Sequence, residues 1–229
     1  MQQIQPLQLQ QIIKNLKNII HKDITKIKDG IKNSIIISHC ILLTSCSIFS
    51  PVTTPLTHKF QIVDHNMDDN IDAPQCVAKN KAVIQIMPVR ANAPYDMVKM
   101  FYSKSQYELD SYSYNQWVAT PQSMIGQAIA QKILQSCLYT NTISGTFLAT
   151  ADYRLSTQLI ELKQIIKNNS STIVLTALVQ LIDNASNEVI KSKTFIETTD
   201  NINSPEGFVV GANTVTQKFL SALIKWLES

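Results

Sequence analysis

An α+β domain, with a mostly antiparallel sheet carrying two helices on one face, is the fold this sequence predicts, on three observations. Short apolar or alternating runs between residues 81 and 199 read as strands. Two stretches, opening at Thr120-Pro121 and Ser204-Pro205, repeat apolar residues at helical spacing. The order strands, helix, strands, helix then separates the two kinds of structure, so that sheet and helices pack as layers. With 229 residues, 45% of them apolar and 16% charged, the chain has material for one medium globular domain and additional segments.

Ahead of that domain the charge is uneven. Positions 1–45 hold six lysines against Asp23 and Asp29, a net +4, so the rest carries −1 of the formal +3. The apolar run "IIISHCILL", Ile35 to Leu43, has nine residues, whereas a spanning helix needs about 20. A basic stretch, a short apolar run and small polar residues form the layout of a secretory signal. We therefore expect 1–45 to be a signal peptide with a long basic region. It closes on "LTSC", where Leu43, Thr44, Ser45 and Cys46 resemble a bacterial lipobox. That resemblance implies that Cys46 is acylated and becomes the mature N-terminus. Several acyl chains at one cysteine supply more than one hydrophobic signal, and a single chain binds a bilayer only marginally. Ser47 in place of aspartate implies, by the same resemblance, export to the outer membrane.

Residues 46–75 are expected to be the lipidated N-terminus and a linker, threonine- and proline-rich and then acidic, with Lys59 to Val63 docking as an edge strand. Asp64, His65, Asp68, Asp69 and Asp72 lack the loop spacing and glycine of a calcium motif and read as solvated linker; no metal is assigned. Residues 76–229 form the folded domain. "KAVIQIMPVRANAP", from Lys81, is its first clear strand, central and buried, and "MVKMFYS" and "QYELDSYSY" follow. A helix opens with Thr120 as cap and Pro121 at its first position, burying Ile125, Ala128, Ile129, Ile133 and Cys137. "ADYRLSTQLIELKQII" alternates, "STIVLTALVQLID" is apolar on both faces, and "DNASN" turns into "EVIKSKTFIET". The last helix runs from Ser204-Pro205 to the terminus with Val209, Ala212, Val215, Phe219, Leu223 and Trp226 or Leu227 as its stripe.

Cysteine bookkeeping leaves Cys76 and Cys137 in the exported chain. A crossover helix runs back along its strand, so Cys137 returns toward the strand start near Cys76 and a disulfide is expected. Two separate buried cysteines are the other reading.

The composition excludes much chemistry. All four histidines precede Asn66, so histidine triads and histidine-rich zinc sites are unavailable in the body, and no GxSxG, CxxC or phosphate-cradling loop occurs. No catalytic residue and no cofactor is predicted. A near-neutral body lacks the basic stripe of a nucleic-acid binder. Seven of the sixteen aromatics crowd between Tyr95 and Trp117, residue types favoured at interfaces. Tyr107, Tyr112, Tyr114 and Trp117 are the candidate partner surface.

From Lys81 onward, and most specifically at the tyrosine-rich segment ending in Trp117 and Pro121, the sequence resembles the ABC-type transport auxiliary lipoprotein family (PqiC-like). That resemblance implies a fold like the TolB amino-terminal domain. It also implies a periplasmic subunit of an MCE-type lipid transport system, anchored in the outer membrane and working with an MCE-domain protein, a permease and an ATPase. A homo-oligomeric ring is implied for some members. Function is therefore expected to be that of a non-enzymatic adaptor; a lipoprotein holding a lipid or other apolar ligand between sheet and helices is the alternative.

Overall fold

The computed structural model describes residues 14, 15, 17, 18, 20–24, 58–62, 77–146, 150–168 and 170–229. The chain divides into Met1–Thr54 and Pro55–Ser229. In the first unit the described residues are helical and exposed.

The described residues of the second unit run β1 (His58–Phe60), β2 (Asn80–Ile86), β3 (Arg90–Ala91), β4 (Lys99–Ser103), β5 (Asp110–Trp117), α1 (Pro121–Ser136), β6 (Tyr139–Ser144), β7 (Tyr153–Lys167), β8 (Ser170–Asp183), β9 (Val189–Ile202) and α2 (Pro205–Glu228). The strands make one sheet with β7 as its spine. On one side β7, β8 and β9 form two long antiparallel ladders. On its other side β7 takes β2, β3 and β4 in succession, each parallel and each over two or three residues. β5 pairs antiparallel with β4, β1 lies parallel to β5, and β6 lies parallel to β2. The α+β class holds, and the sheet is mixed: its long ladders are antiparallel and its short pairings mostly parallel. β6 reaches its place beside β2 only after β3, β4, β5 and α1 have intervened, and it runs parallel to β2 and opposite to β5, the strand that feeds α1. β6 itself, "YTNTIS", carries too few apolar residues to be read from the sequence.

β7 changes faces partway. Leu155, Thr157 and Leu159 are buried, then Leu162 and Gln164. The ladder to β8 shifts register between Leu159 and Glu161, so one extra residue exchanges odd for even positions. Without that bulge the second half would turn Leu162 to solvent. The apolar run of β8 is buried continuously from Ile173 to Ala177.

The core fills the space between this sheet and the helices. α1 buries Ile125, Ala128, Ile129 and Ile133 as its spacing predicts, whereas Cys137, expected with them, is half-buried at the C-cap; α2 buries Phe208, Ala212, Val215, Phe219, Leu220 and Leu223. Trp117 meets Phe208 edge-on at 5.3 Å, and Phe195 meets Phe219 at 5.4 Å and Trp226 at 5.9 Å. Each such ring stabilises by roughly 1.5–3 kcal/mol when fully buried. Two glycines allow α2 to sit this low: a Cβ at Gly211 would meet Ile173 Cδ1 at 2.6 Å, and one at Gly207 would fall on the Ile202 carbonyl oxygen. The caps differ. Ser204 accepts from the Gly207 amide at 2.9 Å, whereas Thr120, at the N-cap of α1, makes no side-chain cap bond. Lys59 to Val63 was expected as an edge strand, and His58–Phe60 occupies that edge of β5. Just beyond it the Ile62 amide donates to Met124 Sδ (3.5 Å) and the Gln61 carbonyl accepts from Asn213 Nδ2 (3.4 Å), tying this segment to both helices.

Candidate anchor and docking surfaces

The anchor expected at Cys46, with Leu43, Thr44 and Ser45, lies outside the described residues, as do Cys76 and the aspartates between 64 and 72. Cys137 is within them. It closes α1 in the left-handed conformation (φ 53°), a position more often glycine. Its carbonyl accepts from the Lys79 amide at 3.0 Å and the Leu138 carbonyl from the Asn80 amide at 2.8 Å. The start of β2, four residues past Cys76, is thus joined to the end of the helix. Lys79 adds an ion pair to Glu228 at 2.6 Å across an exposed surface, a contact worth little by itself.

The four aromatics expected at a partner surface separate into two pairs. Tyr107, at the tip between β4 and β5, is 88% exposed, and Tyr114 on β5 is 54% exposed, with Leu109 between them also exposed. Tyr112 is half-buried: its ring tilts against Tyr102 at 4.9 Å and its hydroxyl donates to Gln164 Oε1 at 2.7 Å. Burial, with Tyr102 and Glu206 nearby, pushes its hydroxyl up to about 12. Trp117 is a correction to the expected surface: only 1% exposed, it is enclosed by Phe208 at the α2 start and belongs to the core. Sequence spacing does not separate these roles, because tyrosine and tryptophan suit both settings.

Among the described residues no group of three His, Cys, Asp or Glu is placed to hold a metal ion, and no helix is long and apolar enough to cross a membrane. Asp183 is held below the usual carboxylate range by the Ser186 backbone amide first, then by the Ser186 hydroxyl and Ala185 amide, but these bonds close the turn between β8 and β9. A groove of about 890 Å³ runs along the outer side of α2, past Val209, Val210, Asn213, Gln217 and Lys225. It is a surface feature; the layer between sheet and helices is filled by Ile84, Ile125, Ile129, Leu155, Phe208 and Phe219, each at most 1% exposed.

Residues 67–222 match the sequence model of the ABC-type transport auxiliary lipoprotein component family. The chain belongs to this family. Its described fold, from β2 through most of α2, falls within the matched span. No curated protein matches the chain. Among solved structures it is similar to protein XCC0632 from Xanthomonas campestris, with 12% identity over 67% of this chain and 86% of that one and a TM-score of 0.59. A second solved structure, of an uncharacterized protein, has 7% identity over 76% of this chain and 97% of that one, with a TM-score of 0.53. At such identities the likeness is one of fold. Family membership makes this auxiliary lipoprotein a transport component rather than a member of an enzyme family, with an ABC-type transporter as the partner it implies.

Proposed function

We propose that this auxiliary lipoprotein is an adaptor moored by acyl chains on Cys46 to the periplasmic face of the outer membrane, where it docks the MCE-domain protein of a (phospho)lipid transport system. The observation that carries the reading is the family match, which begins at residue 67, beyond the lipobox-like "LTSC" and most of the expected linker. The docking element on this reading is the β4–β5 hairpin, because Tyr107, Leu109 and Tyr114 leave apolar and aromatic area in water there. The filled sheet–helix layer favours an adaptor over a carrier holding lipid inside the domain, which needs a cavity of about 300 Å³ or more.

The proposed Cys76–Cys137 bridge is supported by the backbone: the Lys79 amide, three residues past Cys76, lies against the Cys137 carbonyl. Two experiments test the whole. Metabolic acyl labelling is expected to mark the wild type in the outer-membrane fraction and to be lost in Cys46→Ser; acyl chains on that variant refute the anchor. Tyr107→Ala with Tyr114→Ala is expected to weaken capture of the MCE protein at least tenfold while leaving thermal unfolding unchanged, and undiminished capture rejects the hairpin as the docking element.

A further inference from the structure

β9 offers its far side to a partner. Among the described residues it pairs only with β8, leaving one edge of a 14-residue strand open. Ser192, Thr194, Ile196, Thr198 and Asp200 are all exposed, on the face opposite to Phe195, which packs on α2; Ile202 is exposed as well, beside the first turn of α2. The Thr198 carbonyl points off the sheet, since it accepts from Lys218 Nζ at 2.7 Å. Residues of like parity in an antiparallel ladder share this orientation. From Ser192 to Asp200, then, the even positions direct their backbone N–H and C=O groups to the open edge and their side chains to the face opposite to Phe195.

Read outward from Ile196, those positions are nearly a palindrome. Thr194 and Thr198 flank Ile196 equally; beyond them come Ser192 and Asp200, and then Ile190 and Ile202. Ile196 is 65% exposed, Ile202 69% and Ile190 47%, large apolar groups on an unprotected edge. A two-fold contact needs a surface complementary to itself, and this strand is one. We propose that β9 pairs antiparallel with β9 of a second copy of this chain, about a two-fold axis through Ile196.

In that register Ile196 meets Ile196 of the second copy, Thr194 meets Thr198 and Ser192 donates toward Asp200; Ile190 stands outside the ladder, at the bulge that precedes Lys191. No like charges stand opposite: Lys193 meets Thr199 and Lys191 meets Asn201. Five outward residues on each strand form about ten backbone hydrogen bonds. Sliding by two residues in either direction puts Ile196 against a threonine, and sliding by one opposes groups already bonded to β8. Lys218 does not obstruct the pairing, because a carbonyl oxygen has two lone pairs. The joined sheet keeps both α2 helices on one face. This contact closes at two copies, which distinguishes it from a ring built head to tail, and it rests on neither the cargo nor the β4–β5 hairpin.

Sedimentation of the full chain in detergent tests it. Wild type is expected as a dimer. Ile196→Lys and Ile196→Glu are each expected to lose half the sedimenting mass with unchanged circular dichroism, and their equimolar mixture to regain the dimer, since only this register brings position 196 against itself. In wild type, amide exchange at Thr194, Ile196 and Thr198 is expected to slow as protein concentration rises. A monomeric wild type, an assembly that survives Ile196→Lys, a mixture that stays monomeric, or exchange independent of concentration overturns the proposal.

Discussion

Gln164 has no exposed surface, yet its amide is fully used. Its oxygen accepts from Tyr112, and its nitrogen donates to Ser171 Oγ at 2.7 Å and to the Ile202 carbonyl at 3.3 Å. One side chain thus links β5, β7, β8 and the approach to α2. Tyr112→Phe removes one partner from a buried acceptor and is expected to cost about 1–2 kcal/mol in urea unfolding. Alkali tests the same region. Burial pushes Tyr95 and Tyr112 up to about 12, from 10 in the unfolded chain. A raised folded value gives stability that is complete below pH 10 and lost as pH climbs toward 12. Burial also raises Tyr139, so a phenolate absorbance titration is expected to show these three tyrosines ionising late, together with unfolding; their ionisation with the fold intact counts against the burial of these hydroxyls. The polar identity of Gln164 gave no hint of burial, since an alternating strand normally assigns such a residue to water, and only the bulge turns it inward.

At the level of elements, helices were legible from spacing and punctuation. Both opened at a Ser/Thr-Pro pair, and the buried stripes of α1 and α2 follow the predicted period. Cap chemistry was not legible, because Ser204 and Thr120 look alike in sequence and differ only in whether the hydroxyl reaches an amide. Ser204→Ala is therefore expected to cost about 1 kcal/mol by thermal unfolding, and Thr120→Ala markedly less; equal losses overturn the distinction. Nor does spacing reveal that Gly207 and Gly211 lie beneath the helix against the sheet. Gly211→Val is expected to destabilise by about 1–3 kcal/mol through overpacking on Ile173, and Gly207→Ala by at least as much because its obstacle is backbone; a calorimetric scan distinguishes this from a neutral change. β6 escaped notice because its threonines and asparagine carry strand geometry supplied by β2 rather than by their own pattern.

For the molecule as a whole, layer order and class were readable because buried stripes and apolar runs record which faces meet. Strand direction was not, since a parallel or antiparallel neighbour buries the same face. The proposed bridge acts at this scale: joining residues 76 and 137 closes a loop of about sixty residues, which in the chain-entropy picture stabilises by about 4 kcal/mol. Reduction is expected to lower the unfolding midpoint accordingly, and mass mapping that finds both thiols free rejects the link. The bulge at Ile160 has its own consequence. Since two halves of one long strand face inward on opposite counts, a lone insertion or deletion on either side turns out half of that strand's core residues, whereas a compensated pair leaves them in register. What a protein of this architecture must preserve along β7 is therefore a count of positions, and lettering as remote as 12% identity is compatible with the same trace.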